Sequence, residues 1–323
     1  THNLNIMNIG ILHLTDLHLK ASENFILNRI DMIRDALKID FVSLERIYLV
    51  LTGDIVDKGV QLGYSHAKKF LLELKSKLEG INNKSVVKFI IVPGNHDCNF
   101  EYDNQLRKNT LKTLSYETIG DDNSVIDLCL TVQKDFWDFY CELDNCPSNK
   151  LFYQIIDQWE GNSICFNCFN TSWMSKQREE PNLFFPVKRF ENRENLEKSK
   201  INISVFHHPI FWFTSNGLLN NRKELQGFIE DISSIILYGH EHEEEHKKSI
   251  ELWSNRETLY FSGKILQNSF NNDSGFQSIL IDSLNMKGQI KQFIWEGDIY
   301  IAQATKDRSE EHTSELQSRS TIS

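Results

Sequence analysis

With 323 residues, 40% of them hydrophobic and 21 of them Phe, the chain has ample material for one large core and lacks the composition of global disorder. Its net charge of −10, from 45 acidic against 35 basic residues, disfavours a broad nucleic-acid face, because such faces rest on Lys and Arg neutralising phosphates. The longest apolar runs, such as residues 47–51, are strand-sized and too short for a bilayer, and six cysteines in so long a chain make no disulfide framework.

The apolar run at 8–14 predicts a strand, followed by Asp16-Leu17-His18. Residues 22–38 place Phe25, Ile26, Ile30, Ile33 and Leu37 on one helical face, with Ser22 as N-cap. A strand at 46–51 leads into TGDIVDKG, and a helix at 64–79 turns Phe70, Leu71, Leu74 and Leu78 inward and stops at Gly80. A third strand then runs into PGNHD. Strand, helix, strand, helix, strand predicts a layered α/β domain with a central parallel portion. Residues 98–149 turn helical, with Ile126, Cys129, Val132, Phe136, Phe139 and Leu143 at spacings of three and four. They read as an insertion that caps a site within a domain spanning 1–303.

Strands return at 151–156, 163–170, 201–206 and 235–238, and 258–295 alternates as antiparallel strands. Cys165 and Cys168 form a CxxC, but on a strand positions three apart face opposite ways, so ordinary reduced thiols are expected. Residues 304–323 have no apolar periodicity and are expected to be a disordered or artefactual tail. No basic region followed by an apolar one precedes Ile9, which makes a cytoplasmic location the expectation.

Five strand ends carry metal-capable residues: Asp16 and His18, Asp54, Asn95 with His96, His207 with His208, and His240 with His242. Taken singly, each has an ordinary reading: Asp54 as a turn residue, Asn95 as a positive-φ position beside Gly94, His207 as a core histidine. Taken together they converge, because ligands of open α/β sheets gather outside the carboxyl ends of strands. On extended backbone, side chains two apart point the same way, so Asp16 with His18 and His240 with His242 are expected to chelate in pairs. Two carboxylates, an amide oxygen and four imidazoles suit borderline divalent ions such as Mn, Fe or Zn, and seven ligands suit two ions with a bridging carboxylate.

In chain order, Asp16-Leu17-His18, Gly53-Asp54, Gly94-Asn95-His96-Asp97, His207-His208-Pro209 and Gly239-His240-Glu241-His242 resemble the calcineurin-like metallophosphoesterase superfamily. The resemblance covers roughly residues 9–300. It implies a four-layer αββα sandwich and a two-metal centre that hydrolyses a phosphoester, as a phosphodiesterase or phosphatase on nucleotide-like or other small phosphoesters. By that analogy Asp16, His18 and His242 hold one ion, Asn95, His207 and His240 the other, and Asp54 bridges them. His96 serves the leaving group, Asp97 orients the His96 ring, and His208 faces the cap or the substrate. His18 and the residues after Asp54 depart from the purple acid phosphatases, and Lys58 and Asp97 depart from the GDxVDRG and GNHE of the protein phosphatases. The repair-nuclease branch shares GD-x-x-D and GNHD, and the acidic balance opposes it.

Two readings from other classes stand beside this one. HEEEH at 242–246 matches a zinc-peptidase helix, but the segment has no apolar face to bury. A scaffold that keeps the fold without turnover is the other, against which all seven ligand positions are filled.

Overall fold

The computed structural model describes residues 8–114, 119, 123–190, 192, 196–215, 221–241, 246–251, 256–268 and 273–303. Two six-stranded sheets carry the fold. The first runs in the order β12-β11-β10-β1-β2-β3 and the second β4-β5-β6-β7-β9-β8. In the first, β1 (Ile9–Leu14), β2 (Arg46–Thr52) and β3 (Val86–Val92) are parallel, while β10 (Gly275–Asp282), β11 (Lys287–Glu296) and β12 (Ile299–Ala302) join antiparallel. In the second, β5 (Asn162–Phe169), β6 (Ile201–Val205), β7 (Ile235–Tyr238) and β9 (Arg256–Ser262) are parallel, and β4 (Phe152–Trp159) and β8 (His246–Glu251) pair antiparallel at the edges. The expectation of antiparallel strands throughout 258–295 therefore fails at β9, whose partner β7 runs the same way.

Residues buried on both faces of a parallel strand read as unbroken apolar runs, and β1 and β2 do so, with Ile9, Ile11, Leu12, Leu14, Leu49, Val50 and Leu51 fully buried. The sheets meet in one core, where Tyr48 packs on Phe166 at 4.8 Å between ring centroids and the Tyr153 hydroxyl donates to Ile91 O. Helices α1 (Ile30–Phe41) and α2 (Gln61–Glu79) cover the first sheet. The α2 stripe of Tyr64, Ala67, Phe70, Leu71, Leu74 and Leu78 is buried, each large apolar side chain contributing about 1.5–3 kcal/mol. Helix α6 (Asn221–Ile232) covers the second sheet through Leu225, Phe228 and Ile229. The result is the expected αββα sandwich.

Ser22 does not cap a helix. Asn24 takes that place, accepting from Lys20 N at 2.8 Å and donating to the carbonyls of Lys20 and Ser22, and a 3-10 turn at Phe25–Arg29 precedes α1. The amide offers two N–H donors beside its accepting oxygen, where a hydroxyl has only one, so it can hold both carbonyls while accepting.

Among the described residues, 98–149 hold the α-helices α3 (Gln105–Lys112), α4 (Ser124–Leu130) and α5 (Lys134–Leu143). Helix α5 packs against α2 and β4, with Phe139 stacked on Tyr64 at 5.0 Å and Trp137 edge-on to Tyr153 at 6.1 Å. Of this segment, Cys98, Asn99, Phe100 and Glu101 reach the cleft beside His96. A disulfide joins Cys141 to Cys146, and Cys165 and Cys168 are free and buried as expected. Among the described residues no helix is long and apolar enough to cross a membrane. Residues 304–323 lie outside the described residues.

Candidate metal centre and adjoining cleft

The loops after β1, β2, β3, β6 and β7 meet at one end of the two sheets. Backbone bonds lock the first two together: Asp16 N–H to Gly53 O at 3.2 Å, His18 N–H to Asp54 O at 2.9 Å and Leu19 N–H to Ile55 O at 3.0 Å. Gly53, at φ +92°, lies so close to its neighbours that a Cβ would sit 2.6 Å from both Gly94 N and His207 Nδ1, and a Cβ on Gly94 would sit 2.1 Å from Asp54 Oδ1. Only glycine permits that approach.

Asp16, His18, Asp54 and His240 all have left-handed backbone, with φ of 53°, 44°, 53° and 79°. Such conformations cost a non-glycine residue free energy, and they cluster at functional sites. They also correct the expected geometry of the pairs. Asp16 and His18 do not chelate as neighbours on an extended strand, yet His18 Nε2 still lies 3.6 Å from Asp16 Oδ1. His242 lies outside the described residues. His246 opens strand β8, which removes the helix that the HEEEH reading needs.

At the centre is His207. Its Nδ1–H donates to Thr52 O at 2.7 Å, and a carbonyl can only accept, so in the neutral ring the lone pair is on Nε2. That nitrogen faces Asn95 Oδ1 at 2.9 Å, His240 Nδ1 at 3.1 Å and Asp54 Oδ2 at 3.4 Å. His240 Nδ1 is in turn 3.1 Å from Asn95 Oδ1. Asn95 Oδ1 and Asp54 Oδ2 only accept, so a proton on Nε2 or a cation beside it relieves their crowding of that nitrogen. With the proton as the only available charge, burial opposes the imidazolium, but the carboxylate of Asp54 overcomes it and lifts His207 to about 9. Asp54 is itself held well below the usual carboxylate range: its burial works the other way and is outweighed by His207, His96 and His18.

Three sets of donor atoms lie within 4.8 Å of one another: Asp16, Asp54 and His207; His18, Asp54 and His96; and His207, His208 and His240. Asp54 and His207 each belong to two of them. The mixture of carboxylate, amide and imidazole donors fits borderline divalent ions.

His96 and Asp97 depart from the expected pairing. Asp97 is fully buried and accepts from Gly94 N at 2.8 Å, Ile55 N and Val56 N at 3.1 Å and the Tyr64 hydroxyl at 3.3 Å. It thus ties the β2 and β3 loops together. Burial and the charge of Asp54 push it up to about 7 against those N–H groups. The carboxylate at the His96 ring is Asp57, 3.3 Å from Nδ1. The spacing GDIVD could have pointed to it, since the bonded loops bring that aspartate back towards the GNHD turn. The hydrogen bond that His96 Nδ1–H donates to Asp57 lifts His96 to about 9 against its desolvation, and Asp57 is lowered by the same bond. The His96 N–H also donates to Asp54 Oδ1 at 2.8 Å.

His208 is buried, 3.4 Å from Glu179 Oε2, with its ring 4.6 Å from that of His240. Burial lowers its pKa. Glu241 accepts from Trp212 Nε1, while the Trp212 ring packs edge-on to His240 at 4.2 Å. Beside His96 opens a cleft of about 560 Å³ lined in part by Asp57, Lys58, Phe100, Lys176 and Glu179. Trp173 is buried, its Nε1–H donating to Phe184 O at 2.9 Å, Arg178 is exposed and Lys176 lines the cleft.

A family model described as calcineurin-like phosphoesterase matches residues 9–244. The uncharacterized metallophosphoesterase-like protein YydB of Bacillus subtilis (strain 168) is 23% identical over 300 residues, covering 90% of this chain and 60% of YydB, so the chain spans less than two thirds of that protein's length. Among solved structures, a hypothetical protein from Thermus thermophilus aligns with a TM-score of 0.43 and 11% identity, over 91% of this chain and 96% of that one. The calcineurin-like phosphoesterase YfkN from Bacillus subtilis aligns with a TM-score of 0.40 and 11% identity, over 91% and 87%.

Proposed function

The chain belongs to the calcineurin-like phosphoesterase family, and from that premise we propose that it is a hydrolase of small phosphoesters working with two divalent transition ions, Mn, Fe or Zn. The observation that carries the proposal is the lone-pair face of His207, where Asn95, His240 and Asp54 crowd a nitrogen whose proton is committed to Thr52 on the other side of the ring. Asn95, His207 and His240 would hold one ion, Asp16 and His18 the other together with His242, and Asp54 would lie between. When bound, such ions supply Lewis acidity at the phosphoryl oxygens and a nucleophilic water at neutral pH.

The chain's own residues do the rest. Thr52 O fixes the His207 tautomer, as an outer partner does for a ligating ring. His96 lines the cleft with Nδ1–H directed at Asp57, leaving Nε2 to hand a proton to the leaving oxygen. Asp57 keeps that ring protonated near neutral pH. Asp97 holds the two loops that carry Asp54 and His96 in register.

Elemental analysis of purified protein is expected to find two transition ions per chain, and the loaded protein is expected to hydrolyse bis(nitrophenyl) phosphate. Asp54→Ala should lower both metal content and rate to background. Full activity in that variant would sink the proposal.

A further inference from the structure

The cleft beside His96 has on its wall a carboxylate that the centre does not use. The Glu179 side chain is only 9% exposed, yet its Oε1 has no hydrogen-bond partner among the described residues. Its other oxygen, Oε2, lies 3.4 Å from His208 Nε2.

The surrounding bonds fix which way that contact runs. Thr171 Oγ1 receives the backbone N–H groups of His207 at 3.3 Å and His208 at 3.0 Å, so its own hydrogen is left to point at His208 Nδ1, 3.2 Å away. The neutral His208 ring then carries its proton on Nε2, facing Glu179. Oε2 is thereby served by an N–H, and Oε1 is left as a buried acceptor on a residue that lines the cleft. A buried acceptor of this kind favours a ligand that brings the missing donor and rejects an analogue that lacks it.

The segment bearing Glu179 is built to hold this position. Ser172 Oγ donates to Pro93 O at 3.2 Å, Trp173 Nε1 donates to Phe184 O, and the buried Arg107 donates from Nη2 to Ser175 O at 2.8 Å. His96 lines the same cleft, so a leaving alcohol protonated there extends along this wall.

We propose that Glu179 is a specificity residue whose Oε1 accepts a hydrogen bond from a hydroxyl or amino group on the leaving alcohol of the substrate. The inference rests on the hydrolase reading above. The substrate class is a phosphoester of a polyol, a nucleoside or an amino alcohol. A leaving group bearing a second phosphate is disfavoured, because its charge would meet the carboxylate.

Metal-loaded protein would be given matched phosphoesters, each as a monoester and as a methyl diester: glycerol against propanol, adenosine against dideoxyadenosine, and ethanolamine against ethanol as the leaving group. Wild type is expected to prefer the donor-bearing member of at least one pair by tenfold or more in kcat/KM. In Glu179→Gln the carbonyl takes the His208 proton and the amide turns a donor to the cleft, so that ratio should fall to about one. Glu179→Met gives the same reading should the amide variant fail to fold. Equal rates within every pair, no turnover of any pair by protein that hydrolyses bis(nitrophenyl) phosphate, or an unchanged ratio in the variants would each overturn the assignment. Loss of bis(nitrophenyl) phosphate hydrolysis by the wild type would instead indict the hydrolase reading itself.

Discussion

Around His207 the donor atoms come from short motifs at strand ends, and bonds between adjoining loops set them, such as His18 N–H to Asp54 O and His96 N–H to Asp54 Oδ1. Across the cleft, the wall at 171–179 contains no regular strand or helix. It is held by hydrogen bonds to other segments: the Arg107 side chain from α3, the carbonyl of Pro93 and the carbonyl of Phe184. The first region is a consequence of sheet topology and the second of tertiary packing. Damage to one should therefore read out as lost chemistry, and damage to the other as lost stability and altered substrate preference.

The sharpest division between them comes from His96→Asn. Removing a positioned general acid typically costs about 10²- to 10⁴-fold in rate. The side chain is 44% exposed and little of the core depends on it, so the thermal unfolding midpoint should barely move while kcat collapses. A collapse of both together would mean that His96 belongs to the packing.

The converse variant is Arg107→Ala. The guanidinium is fully buried and serves Cys129 O, Ser175 O and Asp103. Removing one partner of a buried ion pair costs about 3–5 kcal/mol, a loss that denaturant unfolding of the metal-free protein would measure. In the fraction that stays folded, KM for the preferred ester should rise more than kcat falls, since Ser175 adjoins the cleft residue Lys176.

Thr171→Val tests the joint between the two regions. The swap keeps the shape but strands the N–H groups of His207 and His208 and frees the His208 ring to change tautomer. A destabilisation of about 1–3 kcal/mol is expected for the unsatisfied donors, with a shift in substrate preference, whereas metal content should hold because Thr52 still orients His207.

The same division decides how much was legible beforehand. Strand ends announce themselves: an apolar run stops, a glycine follows at three of the five ends, and the next metal-capable residue sits at the sheet's edge, so Asp16, His18, Asp54, Asn95, His207 and His240 could be gathered from the sequence. Why they gather was less visible, because four of those backbones are left-handed where alternation on an extended strand implied a simple chelate. Asp97 shows the limit of motif reading. It stands next to His96 in the chain but faces the backbone of the β2 loop, whereas Asp57, from a different loop, meets the His96 ring. The cleft wall left no such trace. Thr171 and Glu179 have no periodicity to mark them, and only the packing of Arg107 and Trp173 sets their place.

Asp57→Asn gives the smallest effect and the most specific one. Asp57 raises His96 to about 9, chiefly through the hydrogen bond at Nδ1. The linkage has a definite sign: a raised histidine pKa favours the fold fully below the ordinary value of 6.5, and that share is lost as pH rises through about 9. The ring's exposure screens this share, so the readout is kinetic. With the imidazolium as proton donor, wild-type activity should hold through neutral pH and decline near 9. In Asp57→Asn the decline should move towards the ordinary imidazole value, although the charge of Asp54 still holds it somewhat higher. At pH 8 the variant should therefore be slower by about tenfold, one unit of pKa being tenfold in the protonated fraction once pH exceeds it. At pH 6 the two proteins should run at nearly the same rate. Parallel profiles separated by a constant factor would show that Asp57 only positions the ring.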